Sequence, residues 1–304
     1  MSSRSRGIPW SAPLGVALAF TLAGCSPDAV APSQQSLTQP EALAIGRETA
    51  DEVESVASLF TYGDLLDVSG GSGFTAVVES PAVSPFGLCP SITPFPPADT
   101  DGDHVPDEVT LSFTLPDCRF TRRNGDVLEI TGSIQITDPS TTDRGYRVAF
   151  TDFQKEFIAA GGAFHLWRVN GVRQILRSAT AFSGIDHTTV DFESSERGSA
   201  RLVKDWTVSF EADAGQTFSE ERHLPSGNLT INGSTTRTRG DVTRQFSITT
   251  VTPLHFDASC NARPKFTSGE LVITRTGVER SGTIRVVFTG CGQEPIITFE
   301  PGTA

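Results

Sequence analysis

The sequence predicts a mainly β fold: a large antiparallel meander preceded by one N-terminal helix. Three observations support this prediction. From about Gly73 onward, apolar and polar residues alternate with a period of two, as in strands that bury one face. Dipeptides that favour tight turns separate the alternating runs, and no helical pattern lies between them. A meander of this kind forms a sandwich, an open barrel or a broad curved sheet.

Residues 1–24 have the composition of an export signal. A short basic region with Arg4 and Arg6 precedes an apolar run from Leu14 to Leu22, which is too short for a permanent membrane-spanning helix. The run ends in Leu22-Ala-Gly-Cys25, which resembles the lipobox of bacterial lipoproteins. The resemblance implies cleavage before Cys25 and attachment of a diacylglycerol to its thiol.

A lipidated Cys25 predicts that the mature chain is held on a membrane of the cell envelope. More than one acyl chain gives stable anchoring, whereas a single chain binds reversibly. Ser26 follows the cysteine, and in bacteria with two membranes the lipoprotein sorting rule then implies the outer membrane. The alternative is an ordinary secretory signal followed by an unmodified cysteine.

Two segments connect this cysteine to the predicted sheet. Residues 25–38 are rich in Pro, Ser, Ala and Gln, which predicts a flexible tether. Thr38-Gln-Pro-Glu41 then has the pattern of a helix N-terminus with a capping box, and we predict a helix over residues 39–62. Its thin apolar stripe consists of Leu43, Ala50, Val53, Ala57 and Phe60.

The remaining residues, 63–304, form the predicted antiparallel β domain of about a dozen strands. The clearest strand is Val109-Thr-Leu-Ser-Phe-Thr-Leu115, which alternates throughout. Turns are predicted at Asn124-Gly125, Asn170-Gly171, Asn232-Gly233, Arg239-Gly240-Asp241 and Thr276-Gly277. A division into two β subdomains near residues 193–200 is the alternative to one domain.

The four cysteines other than Cys25 form an even set, which in an oxidising compartment predicts disulfides. We favour Cys89–Cys118 and Cys260–Cys291, because each bond closes a local loop of about 30 residues. A disulfide that closes a loop of this length stabilises a fold by roughly 3 kcal/mol. A zinc site is disfavoured because no two cysteines have Cys-x-x-Cys spacing.

The most specific motif inside the predicted domain is an aspartate-rich loop. Asp99, Asp101, Asp103 and Asp107 stand at positions one, three, five and nine, and the carbonyl of Val105 is available at position seven. Oxygen ligands at these positions can surround a hard cation. The stretch resembles the calcium loops of thrombospondin type-3 repeats and EF-hand-like proteins, which implies a structural Ca²⁺ ion held by these five residues. The alternative is a solvated acidic loop.

Composition and motifs restrict the function. The precursor has a formal net charge of −12, which disfavours electrostatic binding of nucleic acid. The five histidines form no His-x-x-x-His or His-Glu-x-x-His pair. We therefore expect a non-enzymatic binding or structural role with a protein, glycan or lipid partner. The alternatives are a carrier of lipids or other hydrophobic ligands, and a hydrolase whose site is assembled from distant residues.

Overall fold

The computed structural model describes residues 37–59, 89–103, 105–140, 145–196, 198–218, 224–276 and 282–302. The predicted signal peptide, Cys25 and residues 25–36 of the predicted tether lie outside these ranges. Residues 60–62 of the predicted helix and the side chain of Ala57 lie outside the description as well.

Helix α1 spans Gln39–Leu59, which confirms an N-terminal helix before the sheet. Its first turn is closed by Glu41, whose carboxylate accepts hydrogen bonds from the backbone N–H and the hydroxyl of Thr38, both at 3.0 Å. No helix in the described ranges combines the length and the apolar character that a membrane-spanning helix requires.

The strands of the sheet increase in length from the edges toward the middle. They are β1 (Ser91–Thr93), β2 (Glu108–Phe113), β3 (Arg119–Thr121), β4 (Val127–Thr137), β5 (Gly145–Ile158), β6 (Phe164–Arg177), β7 (Ala181–Ser194), β8 (Gly198–Ala212), β9 (Gly227–Arg239), β10 (Val242–Phe256), β11 (Phe266–Thr276), β12 (Thr283–Phe288) and β13 (Ile296–Glu300).

All thirteen strands belong to one antiparallel sheet in which each strand pairs with the next in sequence, except that β2 pairs with β4, and β3 lies off this path and pairs with β4 as well. This confirms the predicted meander and resolves it as a broad open sheet with β1 and β13 at its edges. The suggested boundary at residues 193–200 falls in the β7–β8 hairpin. These two strands pair along their whole length, from Ala181 with Glu211 to Ser194 with Gly198.

Two of the predicted turns are wrong. Asn170-Gly171 lies inside β6 and Asn232-Gly233 lies inside β9. Both glycines have positive φ, 118° and 146°, which is the conformation that favours Gly in turns. In each case the neighbouring strand has a β-bulge at this level, between Phe150 and Phe153 of β5 and between Thr249 and Leu254 of β10. The Asn-Gly dipeptide, which predicts a turn from the sequence, here lies within a strand and accommodates a β-bulge of the neighbouring strand.

One face of the sheet carries the core, and we call it the inner face. Its buried apolar side chains come from strands β2 to β12 and form one cluster with residues of α1. The largest of them is Trp206, whose indole Nε1–H donates to the Thr235 hydroxyl at 2.9 Å. A single continuous core on one face explains the alternation with period two seen in the sequence.

Helix α1 packs on the inner face near the C-terminal edge, where it contacts β12 and β13. The contact is close at Gly46, where a Cβ atom would lie 2.6 Å from the Ile297 side chain. The buried helix residues are accordingly Ala42, Ile45, Gly46, Thr49, Ala50 and Val53. Leu43, placed in the apolar stripe by the sequence, is only half-buried because the glycine sets the contact face of the helix.

Ion pairs join the acidic side of α1 to cations of the inner face. Arg237 pairs with Glu48 and with Glu52, Lys204 with Glu52 at 3.7 Å, and Arg244 with Glu41 at 2.8 Å. Lys204 also lies 4.7 Å from the centroid of the Trp206 ring. These contacts extend across β8, β9 and β10, so the helix covers the part of the inner face formed by the later strands.

Both predicted disulfides are present. Cys89, two residues before β1, is bonded to Cys118, the residue before β3, with their Cα atoms 5.2 Å apart. Cys260 and Cys291 join the loop that follows β10 to the loop that follows β12, at a Cα separation of 5.8 Å. Each bond therefore lies beside one edge of the sheet.

Candidate functional site

Three aspartates of the predicted metal loop lie together. One carboxylate oxygen each from Asp99, Asp101 and Asp103 falls within 4.8 Å of the others. Local hydrogen bonds shape the loop: Asp99 accepts from the N–H of Gly102 at 2.8 Å, and Asp103 accepts from the N–H of Val105 at 2.7 Å. Gly102 has a φ of 76°, which allows the chain to reverse direction here.

The two remaining predicted ligands have different surroundings. Both carboxylate oxygens of Asp107 accept hydrogen bonds from Thr100, one from its backbone N–H at 2.8 Å and one from its hydroxyl at 2.5 Å. These bonds hold the pKa of Asp107 below its usual range. Val105 is fully buried, and His104, which precedes it, lies outside the described residues.

A fifth carboxylate, which the sequence did not indicate, stands beside the loop. Asp138 follows β4, and its backbone N–H donates to the carbonyl of Asp107 at 3.2 Å. Burial raises the pKa of its side chain, and the charges of Asp101, Asp107 and Asp99 raise it further. The loop and the end of β4 thus concentrate negative charge, and the distance in sequence between the two explains why the motif alone did not reveal Asp138.

A second candidate site lies on the inner face beyond α1. Register pairs define three rows of side chains that cross the strands there. The first row contains Phe120, Leu128, Phe157 and His165; the second contains Ile130, Lys155, Trp167, Phe192, Ala200 and Arg239; the third contains Phe153, Val169, Val190, Leu202 and Arg237.

Three rings in the first two rows, His165, Trp167 and Phe192, contact one another, and Phe157 is the cross-strand neighbour of His165; we call these four residues the aromatic patch. The centroid of Trp167 lies 5.5 Å from that of Phe192 in an edge-to-face arrangement and 6.2 Å from that of His165. Trp167 is 40% exposed, and the other three rings are half-buried. Exposed aromatic clusters on a rigid sheet are typical of binding surfaces.

Cations surround the aromatic patch. Lys155 is the direct cross-strand neighbour of Trp167, and Arg239 is that of Ala200 at the other end of the second row. The Arg122 guanidinium lies 5.7 Å from the centroid of the Phe157 ring. The three rows contain no acidic side chain, although the protein as a whole has an excess of acids. On the opposite face of these strands, acids stand beside arginines, as Asp191 does beside Arg201 at 3.8 Å.

One contact bears on the hydrolase alternative. His255 lies between the carboxylate of Asp213, 3.0 Å from its Nε2, and the hydroxyl of Thr267, 2.8 Å from its Nδ1. An acid, an imidazole and a hydroxyl in this order occur in hydrolases, but hydrolysis also needs donors for the oxyanion. The Thr267 hydroxyl is in addition 3.3 Å from the His255 carbonyl. These contacts join β10, β11 and the loop after β8.

The sequence had not indicated the aromatic patch, because its rings come from three strands and the sequence does not reveal which part of the inner face α1 leaves uncovered. The period-two pattern does identify which side chains share a face, and Trp167, a large aromatic residue within that pattern, was the signal that the sequence offered.

No protein-family profile, curated protein or solved structure matches this chain.

Proposed function

We propose that the protein is a lipid-anchored component of a bacterial cell envelope, without enzymatic activity, that binds a ligand or partner through the aromatic patch. The observation that carries this proposal is the exposure of Trp167 and its ring neighbours on the face whose other half packs under α1. Burying an aromatic side chain of this size stabilises by roughly 1.5–3 kcal/mol. A binding partner would supply that burial.

The anchor part of the proposal rests on the lipobox-like sequence at Cys25 and the short apolar run before it. We expect the full chain to incorporate an alkyne-labelled fatty acid when expressed in a bacterium with two membranes, and Cys25→Ser to abolish the label. Label that persists in Cys25→Ser would contradict lipidation at this residue. Fractionation of the labelled cells then reports whether the protein reaches the outer membrane.

The binding part is tested by photocrosslinking in living cells. A photoreactive phenylalanine analogue replaces Trp167 in the full chain, and the matched control carries it in place of Val251, an apolar residue that is 56% exposed and lies outside the patch. We expect a crosslinked product at position 167 that is absent at position 251. Its mass identifies a protein, a glycan or a lipid. Failure to crosslink at 167, or equal products at both positions, would refute a binding role for the patch.

We also propose that the aspartate-rich loop binds Ca²⁺ in a structural role, with Asp99, Asp101 and Asp103 as side-chain ligands. Three carboxylates with oxygens within 4.8 Å of one another, and Asp138 beside them, support this proposal. Asp107 and the Val105 carbonyl complete the proposed set. The ion would offset repulsion among the carboxylates and hold the loop between Cys89 and Cys118. Extracellular modules bind Ca²⁺ with a Kd of about 10⁻⁴ to 10⁻³ M.

Calcium binding predicts a gain in stability that depends on the loop. At about 10 mM Ca²⁺ the free energy of unfolding should rise by roughly 1–3 kcal/mol relative to chelator. Asp101→Asn should reduce this gain, whereas Asp117→Asn, an exposed acid outside the proposed ligand set, should retain it. Chemical denaturation with and without Ca²⁺ measures the difference. Equal gains in both variants would mean that the ion acts elsewhere or non-specifically.

A further inference from the structure

We propose that the aromatic patch binds a single-chain anionic lipid, of which a long-chain fatty acid is the type. The inference rests on the proposed binding function of the patch and goes beyond it by naming the chemical class of the ligand. Its acyl chain would lie along the second row of side chains, over Trp167 and Phe192, and its carboxylate would meet Lys155 or Arg239 at an end of that row.

The shape of the row fits one chain. From Lys155 on β5 to Arg239 on β9 the row crosses four strand spacings, which at about 4.8 Å each is roughly 19 Å. One acyl chain occupies half of a hydrocarbon core, or about 15 Å. Val169, Val190 and Leu202 of the third row provide an apolar wall along one side. A cation therefore stands at each end of an apolar strip that is about one chain long.

Charge on the inner face favours an anionic head group. Lys155, Arg239 and Arg122 form no ion pair with a described residue, although the sequence contains 36 acidic residues. By contrast, the cations of the inner face under α1 are matched by carboxylates of the helix, as Arg237 is by Glu48. The patch thus combines apolar rings with unmatched positive charge, and an amphiphile with a negative head complements both.

The position of the patch favours a single molecule over the surface of a bilayer. Trp167 lies three residues inside β6, about 10 Å from the strand end. The hairpin turns beyond it on this side of the sheet carry both signs of charge, with Asp126, Glu196 and Asp241 alongside Arg122 and Arg123. A bilayer that approached this end of the sheet would meet these turns before it reached the rings, whereas a single molecule can lie along the row itself.

Tryptophan fluorescence tests the inference directly. The full chain has three tryptophans, of which Trp10 lies in the predicted signal peptide and Trp206 is fully buried. The full chain is expressed with Trp10→Phe, so that uncleaved precursor contributes no third indole, and the purified protein in amphipol is titrated with a brominated fatty acid, which quenches an indole that it touches. We expect saturable quenching that disappears in Trp167→Phe, a change at an exposed residue that leaves the Trp206 core intact.

Charge variants separate specific binding from general hydrophobic contact. The double variant Lys155→Gln/Arg239→Gln, which removes the cation from both ends of the row, should raise the Kd about tenfold, as expected for loss of a charged hydrogen bond. Arg168→Gln, on the opposite face beside Trp167, is the matched control and should leave the Kd unchanged. A brominated alcohol of the same chain length should bind at least about tenfold more weakly than the acid. Equal binding of alcohol and acid would overturn the charge argument.

The remaining outcomes distinguish the inference from the proposed function. Quenching by vesicles of brominated anionic phospholipid, without quenching by the free fatty acid, would overturn the inference in favour of contact with a bilayer. If no lipid quenches Trp167 but the photocrosslinker at position 167 still captures a product, the ligand class is wrong and the binding function stands. If no lipid quenches Trp167 and the photocrosslinker at position 167 captures no product, both the inference and the proposed binding function are refuted.

Discussion

At the scale of single residues, the asparagines that precede Gly171 in β6 and Gly233 in β9 make the same kind of hydrogen bond. Asn170 Oδ1 accepts the backbone N–H of Asp152 at 2.7 Å, and Asn232 Oδ1 accepts that of Thr250 at 3.0 Å. In both cases the donor lies where the neighbouring strand has a bulge, and the amide oxygen satisfies an N–H that the ladder leaves unpaired. Asp152 has a φ of 46°, so the bulge in β5 depends on this support.

Gly233→Ala is therefore expected to destabilise the fold. A Cβ atom at this position would lie 2.0 Å from the carbonyl oxygen of Asp205, and the φ of 146° is one that L side chains rarely adopt. We expect a loss of about 2 kcal/mol or more in the free energy of unfolding, measured by urea denaturation. Gly161→Ala is the control, because nothing lies within 4 Å of its added Cβ. A loss below about 0.5 kcal/mol in Gly233→Ala would contradict the close approach seen here.

Residue-level reasoning predicted part of the candidate sites. The spacing of Asp99, Asp101 and Asp103 identified carboxylates that do lie together, since a short loop brings them close whatever the rest of the fold does. Asp138 was missed because only the pairing of β2 with β4 brings it to the loop. Trp167 was not predicted as a site residue, because its exposure depends on where α1 packs.

At the scale of elements, α1 combines close packing with charge. Its N-terminus and approximate length were predictable, because capping residues and helix formers are local signals. Its contact face was not fully predictable, because a thin stripe of small residues does not distinguish Leu43 from Ala42. The ion pairs from Glu41, Glu48 and Glu52 to the strands fix the orientation of the helix, since together they reach cations on three neighbouring strands, β8, β9 and β10.

The stability that Glu41 contributes should depend on pH. The backbone N–H of Thr38, followed by Arg244, lowers the pKa of this carboxyl in the folded protein. A lowered pKa stabilises the fold when the carboxyl is ionised, and this contribution is lost as the pH falls through the lowered value. At pH 7 we expect Glu41→Gln to cost about 1 kcal/mol, and the cost should shrink between about pH 5 and pH 3.

Urea denaturation of the wild type and the variant across this pH range measures the effect. Asp51→Asn serves as the control, because Asp51 lies on an exposed part of the same helix and forms no ion pair with a described residue. Its cost should be small and independent of pH. A difference for Glu41→Gln that stayed constant down to about pH 3 would show that the charge of this residue is irrelevant to the cap.

At the scale of the whole molecule, the sheet is a meander in which the two edge strands are among the shortest. Edge strands β1 and β13 have 3 and 5 residues, against 14 or 15 in β5 to β8. Short edges present few free backbone groups to another chain, which limits edge-to-edge association. Because every step of the meander joins neighbours in sequence, alternation and turn signals were sufficient to predict it. They did not determine whether the strands formed one sheet or two.

The disulfides at the two edges should have different consequences for α1. The variant Cys260→Ser/Cys291→Ser should lose roughly 3 kcal/mol in stability and show faster amide exchange in α1, because this bond holds the loops beside β12 and β13, on which the helix packs. Cys89→Ser/Cys118→Ser should lose a similar amount without faster exchange in the helix. Mass spectrometry measures amide exchange in α1 of both variants. Equal exchange in the two variants would contradict a link between α1 and the sheet edge at β12 and β13.

The packing of α1 on β12 and β13 limits the order in which the contacts of the helix can form while the chain is synthesised. A chain emerges from its N-terminus first, yet this first helix has its docking surface on the last strands to appear. The β strands can join one after another as they emerge, and the cations of β8 to β10 become available to α1 before its apolar partners on β12 and β13 do. A chain that stopped before β12 would keep most of its sheet and the ion-pair partners of the helix, but the apolar contacts of Gly46 with Ile284 and Ile297 could not form.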